Sequence, residues 1–382
     1  MAIELKPAPA AVVIDGQPAH GRYAGSIARI DWSPLNPRPS WLWRRLHNKR
    51  WHYVGLGNDA VFIGVAIVDV GWACSAFAYL FDRQDRSLLA DWSQDGFAGL
   101  QAGVSDAPLA GADSWFRGPG ARLSLRHEAG DRLHLHVATR TLRVEAELDL
   151  AAMAPPLLAI GPIEGGPGAW AAEGIARVES GKGAGKARGG RGLVPATTSN
   201  AACALARLNP EGWRGLCPLP PTLLVHATQK TSALPVRGWA EAQGRRFALD
   251  SAWAAVDASN GLLARDTAWR WASAHRPDIG FNLQQGYFGA QENVLWLDGQ
   301  PAALSAAHFD FAPEQPLSPW RIHTSDGLLD LVFTPEGARA ANKHLGFAAS
   351  RYVQPVGTFS GAVNGRTVTA LPGVTEDHRS LW

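Results

Sequence analysis

Three cysteines, Cys74, Cys203 and Cys217, are all that the 382 residues contain, and they lie far apart with no CxxC pair. So sparse and odd a set excludes a disulfide framework and a cysteine zinc site, and fits a reducing compartment. Charge of one sign is also scarce. The 36 Lys and Arg against 34 Asp and Glu leave a net +2, too balanced to require nucleic acid as a partner. There is no HExxH and no GxSxG. Helical signals are confined to residues 39–48 and 334–343, the second with Pro335 at a first-turn position. A parallel α/β architecture needs a helix between most strands and is excluded on that ground. The opening Met1-Ala2-Ile3-Glu4-Leu5-Lys6-Pro7 has neither the basic nor the apolar region of a signal peptide, which makes the cytoplasm the expected location.

What the chain does have is period-two alternation. Leu142, Val144, Ala146, Leu148 and Leu150 alternate with Arg143, Glu145, Glu147 and Asp149, the pattern of a half-buried strand. Leu123 and Leu125, then Glu128-Ala129-Gly130-Asp131, then Leu133, Leu135 and Val137 read as a hairpin. Asp298-Gly299, Asp326-Gly327 and Asn364-Gly365 supply further tight turns. The apolar run 60–81 has the length of a membrane span. Asp69 sits near its middle, where a carboxylate costs about 2.5–3.5 kcal/mol in lipid, and Asp69-Val70-Gly71 divides it into two strand-length pieces. Two buried strands around a turn are expected there.

Hairpins dominate both halves, so the expected fold is all-β, with two consecutive antiparallel barrels and a few short helices. The Pro- and Gly-rich residues 154–169, the glycine and basic stretch 181–192, and Pro218 to Pro221 place the break between the barrels, at 1–220 and 221–382. The 16 tryptophans suit a cavity wall, since an indole is large and carries one polar N–H.

Phosphate and dinucleotide patterns fail. Ser180 stands where a Walker loop needs glycine, and Ala187 replaces its metal-binding hydroxyl. Gly55-Leu56-Gly57-Asn58-Asp59-Ala60 leads into a strand where a phosphate site needs a helix N-terminus. His134 and His136 share an outward strand face with Arg132, and His308 with Asp310 face either solvent or a cavity. No metal and no cofactor are expected.

Residues 41–51 interleave Trp41, Trp43 and Trp51 with Arg44, Arg45, Lys49 and Arg50. This stretch fits a strap covering a barrel end, a peripheral contact with a membrane surface, or nucleic acid. The densest polar cluster is Asn282, Gln284 and Gln285 followed by Glu292 and Asn293. On a strand, Asn282 and Gln284 share a face, and inward amides would orient a ligand without charge. A buried Glu292 would hold a raised pKa and serve as a general acid.

Segments spread over almost the whole chain resemble the bacterial domain-of-unknown-function family 2804. They include Trp51-His52-Tyr53, Ile67-Val68-Asp69-Val70-Gly71, Thr228-Gln229-Lys230, Thr267-Ala268-Trp269-Arg270-Trp271, Asn282-Leu283-Gln284, Glu292-Asn293, and the ending Gly373-Val374-Thr375-Glu376-Asp377-His378 with Trp382. That family brings no activity with it. More distantly, the layout is similar to the tandem lipocalin-like enzymes that include carotenoid 1,2-hydratases and tocopherol cyclases. The resemblance implies lipocalin-like barrels and protonation of an alkene by a strand-borne acid. At that acid's place this chain has Asn282, and an amide is no strong acid, so the role passes to Glu292 or Asp69.

The function expected is therefore a cofactor-free lyase or isomerase acting by acid catalysis on an apolar, terpenoid-like or lipid substrate in a barrel cavity. Glu292 or Asp69 would be the acid and His52 and Tyr53 its partners. Asn282, Gln284, Gln285, Asn293, Trp269 and Trp271 would hold the substrate. The alternative is a non-catalytic carrier of lipids or pigments with the same cavity. Glu376 and His378, on one strand face opposite Asp377, are expected beside the cavity as structural residues, with a catalytic Glu376–His378 acid–base pair as the alternative. Trp382 is expected to anchor the terminus.

Overall fold

The computed structural model describes residues 3–163, 224–344 and 348–382, and the glycine and basic stretch, Cys203 and Cys217 lie outside them. The described chain is almost entirely antiparallel strand, with one α-helix, Trp41–His47. That helix starts on Ser40, whose hydroxyl accepts from the Trp43 amide. The expected hairpin is Ala121–Glu128 with Arg132–Ala138, followed by Leu142–Asp149. The apolar run is the pair Val61–Asp69 and Cys74–Asp82. The helix expected over 334–343 is instead part of the strand Leu329–His344, paired along its length with Ala349–Val363. Proline at a first-turn position is equally at home at a strand irregularity, and the pairing shifts register between Pro335 and Gly337.

In the first sheet the strand Trp253–Leu262 is the branch point. One edge carries Asn48–Gly57, followed outward by Val61–Asp69, Cys74–Asp82 and Ser87–Gly96. The other edge carries Leu234–Ala242 beside its first residues and Val225–Lys230 beside its last. From Leu234–Ala242 the sheet continues through Leu142–Asp149 to Asp113–Gly118. These wings close on one apolar core in which Val54, Leu56, Ile63, Val65 and Leu80 meet Leu125, Leu135, Val144 and Val236.

The second sheet has ten strands, from Ile3–Glu4 at one edge to Ala307–Asp310 at the other. It wraps a second core built on Phe281, Leu283, Trp320, Phe333 and Phe359. The architecture is thus all-β with two barrels. Apart from Ile3–Glu4, the chain passes from the first sheet to the second between Leu262 and Asp266. Proline and glycine mark where a chain turns, but they do not say which strands pair across the turn. Val225–Lys230 turns back into the first sheet.

Both barrel interiors are filled by these cores. Strand alternation then decides what lies outside them. Tyr53, Phe62, Ala66, Tyr79 and Phe81 point out of the first barrel and pack against Trp271, Val356 and Val374 on the outer face of the second. The barrels therefore meet through aromatic outer faces.

Candidate functional site

A cleft runs between those two faces. Its central hollow, about 110 Å³, is walled by Trp51, Tyr53, Trp269, Trp271, Tyr287 and Trp382, with Lys230, Asp257, Glu292, Glu376 and His378 among its polar members. It lies between the barrels and not inside either one, which corrects the expected barrel cavity. The reason is packing: period-two strands whose inner faces are almost wholly apolar and interdigitate leave no room within.

The chemistry is concentrated at Lys230. Its Nζ lies 2.5 Å from Asp257 Oδ2 and 2.7 Å from Glu292 Oε2, and all three side chains are largely buried. Lys230 and Asp257 are cross-strand partners, while Glu292 comes from the turn before Val294–Leu297 in the other sheet. One cation between two carboxylates leaves a surplus negative charge in an apolar wall, and burial favours taking up one proton. The neighbours decide where it goes. Thr228 and Ser259 donate hydroxyl hydrogen bonds of 3.1 and 2.8 Å to Asp257 Oδ1, stabilising its ionised form. Burial and then Lys230 are the principal influences on Asp257, whose pKa is held below the ordinary carboxylate value despite the first. Glu292 has no such hydroxyls. Burial, reinforced by the Asp257 charge, raises its pKa. Of the two carboxylates, Glu292 is the one whose pKa its surroundings raise, against the pull of Lys230, and Asp257 the one whose pKa is lowered.

A second polar group faces it across the cleft. Glu376 accepts from Trp269 Nε1 at 2.9 Å and from Gln354 Nε2 at 2.8 Å. Gln354 Oε1 in turn accepts from the Tyr79 hydroxyl at 2.5 Å. His378 Nδ1 lies 3.2 Å from Glu376, its Nε2 contacts Ser350 and Ser380, and its ring lies tilted over Trp269, centroids 4.0 Å apart. The glycine at 64 makes room for Tyr79, since a Cβ there would sit 2.3 Å from the phenol ring. Asp377 points to the other face beside Arg270. Glu376 and His378 thus line the cleft directly.

The structure sorts the residues expected from sequence. Glu292, Tyr53, Trp269 and Trp271 line the central hollow. Asn282 lines a neighbouring hollow of about 50 Å³, accepting from Trp271 Nε1 at 2.8 Å and donating to the Glu292 carbonyl at 3.0 Å. It holds a cleft tryptophan and the backbone of the acid. Gln284 is on the same face and buried, with neither side-chain amide atom hydrogen-bonded among the described residues. Asn293 bonds the Gln284 amide and the Ser305 carbonyl, and so pins the turn that carries Glu292. Gln285 turns to the opposite face beside Arg270.

Two candidate residues lie elsewhere. His52 alternates with Tyr53 and points into the first barrel, 2.8 Å from Ser114 Oγ, where burial lowers its pKa to about 4. Asp69 caps the turn at Gly71 and pairs with Arg50 at 2.6 Å, away from the central hollow. A lone carboxylate in an apolar run was as consistent with a turn anchor as with an acid. His134 and His136 face outward near Glu145, and His308 stacks on His323 beside exposed Asp310.

Lys230 and Asp257 are the functional candidates that sequence reading missed. Lys230 is the one Lys or Arg of Val225–Lys230 and Asp257 the one acid of Trp253–Leu262, and that isolation was the available signal. Tyr287 was missed too. Its hydroxyl lies 3.3 Å from Nε2 of buried His226, whose pKa burial lowers to about 3.

Fold and site together define a two-barrel, lipocalin-like protein with a polar cluster in the cleft between its barrels. Among solved structures, the chain is similar to a Nitrosomonas europaea protein assigned as AttH (13% identity, 87% of this chain and 92% of that one, TM-score 0.51). It is also similar to kievitone hydratase from Nectria haematococca (8% identity, 100% and 98%, TM-score 0.50) and to CghA with Sch210972 (11%, 99% and 96%, TM-score 0.51). At such identities the likeness is one of fold. No curated protein matches the chain. The chain belongs to the family described as Domain of unknown function (DUF2804), whose model matches residues 4–170 and 216–382.

Proposed function

We propose that the cleft is a site of cofactor-free acid catalysis on an apolar, terpenoid-like or lipid substrate, of the hydratase or cyclase type. The observation that carries this reading is the Asp257–Lys230–Glu292 row set in an aromatic wall. Glu292 donates its proton to an alkene carbon, and the electron pair of the double bond forms the new C–H bond. The carbocation left behind faces the tryptophan and tyrosine rings, whose quadrupoles attract it. It is discharged by water, by an internal nucleophile, or by loss of a neighbouring proton, and the proton released in that step restores Glu292. Asp257 keeps Glu292 protonated, and Lys230 keeps Asp257 charged. A hydratase among the proteins of like fold supports the reaction class.

Incubation of the protein with isoprenoid alkenes in deuterated water tests this, because protonation at carbon leaves deuterium in product or recovered substrate. Glu292→Gln is expected to abolish incorporation. Asp257→Asn is expected to reduce it by at least about tenfold, since Glu292 would then pair alone with Lys230 and ionise. Incorporation that survives Glu292→Gln would remove Glu292 as the acid. A ligand retained through purification but returned unlabelled would favour the carrier.

A further inference from the structure

We propose that the end of the molecule carrying the helix Trp41–His47 docks on an anionic lipid surface, and that the apolar hollow behind it admits ligand to the cleft from that surface. The inference does not depend on the acid chemistry proposed for Glu292. Three observations converge on one end of the fold.

The first is the helix itself. Trp41, Leu42 and Leu46 are 69, 49 and 46% exposed, and no helix residue is buried. Arg44 and Arg45 lie between them, and neither has an ion-pair partner among the described residues. Of the carboxylates nearby, Asp69 is engaged by Arg50, Asp106 by Arg50 and Arg29, and Asp31 accepts from the amide and hydroxyl of Ser33. Exposed apolar side chains interleaved with unpaired guanidinium groups complement headgroups above acyl chains.

The second is a separate loop. Phe97 and Leu100 are 70 and 77% exposed, the most exposed large apolar residues described. Their position relative to the helix follows from two contacts. A Cβ on Gly71 would lie 2.0 Å from the Arg45 carbonyl, and one on Gly96 would lie 3.2 Å from Cys74 Sγ. Helix, 70–73 turn and Phe97 loop are therefore neighbours, although distant in sequence.

The third is what lies behind them. A hollow of about 150 Å³ is lined by Val70, Trp72, Cys74, Phe77, Leu381 and Trp382, among others. It shares Val68, Phe77, Tyr352, His378 and Trp382 as walls with the central hollow. The two hollows therefore adjoin through shared walls, with the outer one beside the 70–73 turn and the inner one holding Glu376, His378 and Glu292.

Flotation with phosphatidylcholine vesicles, with and without a fraction of phosphatidylglycerol, tests the proposal. The protein is expected to float with the anionic vesicles, and less so as salt is raised. Leu42→Ser with Leu46→Ser, and separately Phe97→Ser with Leu100→Ser, should each weaken flotation. Arg44→Glu with Arg45→Glu should weaken it by about tenfold or more. All six positions are at least partly exposed, so unchanged melting curves will confirm that the variants are folded. Wild-type protein that fails to float, or that floats equally well in all three variants, overturns the proposal. So does a wild-type dimer in sedimentation that the Leu42→Ser, Leu46→Ser variant dissociates, because the patch would then be covered by a second copy.

Discussion

At the residue scale the cleft is organised by one buried cation. Lys230 stands between two carboxylates from different sheets, and no neutral side chain can replace that charge. Lys230→Met should therefore leave Asp257 and Glu292 facing each other without compensation. A loss of about 3–5 kcal/mol in unfolding free energy is expected in chemical denaturation, partly relieved at acid pH where a second proton is taken up. A loss below about 1 kcal/mol would mean that water already reaches the trio. The cleft's residues were only half legible in the sequence. Glu292 stood out because it is the one acid in a short run of amides, and Trp269 and Trp271 because two indoles lie one residue apart. Lys230 and Asp257 did not, because what matters is their juxtaposition across a strand pair, and pairing is not written in either strand alone. His52 failed for the opposite reason. Its neighbour Tyr53 faces the cleft, so alternation had to send the imidazole into the barrel.

At the element scale, hairpins whose turn is local were the legible part. Leu123 to Leu150 follows its alternation, and Asp131, Asp298 and Asn364 take the positive φ angles that their turns require. Val225–Lys230 was illegible as part of the first sheet, since its partners Leu157–Pro162 and Trp253–Leu262 flank a long connection and a later hairpin. The final strand, Arg366–Leu381, makes its own prediction. Trp382 closes it onto the neighbouring strand, its indole donating to Thr267 Oγ1 at 2.9 Å and its amide to the Arg265 carbonyl at 2.9 Å. Deleting Trp382 should cost about 1–3 kcal/mol. That corresponds to a melting temperature lower by roughly 2–4 °C per kcal/mol. Glu376→Gln keeps the shape of its side chain but turns an amide NH2 group toward the Trp269 indole or the Gln354 amide, both donors, and should cost about 1–3 kcal/mol. Equal melting of the truncated and full chains would show that the seam holds without its last residue.

At the scale of the whole molecule, burial of titratable groups gives stability a pH dependence. Burial lowers the pKa of His52 to about 4 and those of His226 and His275 to about 3. In the unfolded chain these rings titrate near 6.5, so at lower pH the unfolded state binds more protons than the folded one. Their contribution is fully present above the unfolded pKa and is lost as pH falls from about 6.5 toward 3. Glu292 acts in the opposite sense. Its raised pKa contributes stability that is present in acid and lost as pH rises through the folded value. The three histidines titrate between about 6.5 in the unfolded chain and 4 to 3 in the folded one, so melting temperature should fall on acidification below about pH 6.5. His275→Gln should flatten that slope, and a flat profile in the wild type would show the rings to be hydrated.

The central claim is that the cleft holds Glu292 as a neutral carboxylic acid beside an ionised Asp257. Infrared difference spectroscopy at neutral pH, wild type minus Glu292→Gln, measures this directly through the carboxylic acid C=O stretch. A band is expected in the difference spectrum and should shift on transfer to deuterated water. It should also weaken in the Asp257→Asn background, where Lys230 is free to ionise Glu292. A difference spectrum showing only carboxylate bands would mean that Glu292 is ionised at rest, and the cleft would then have no acid to give.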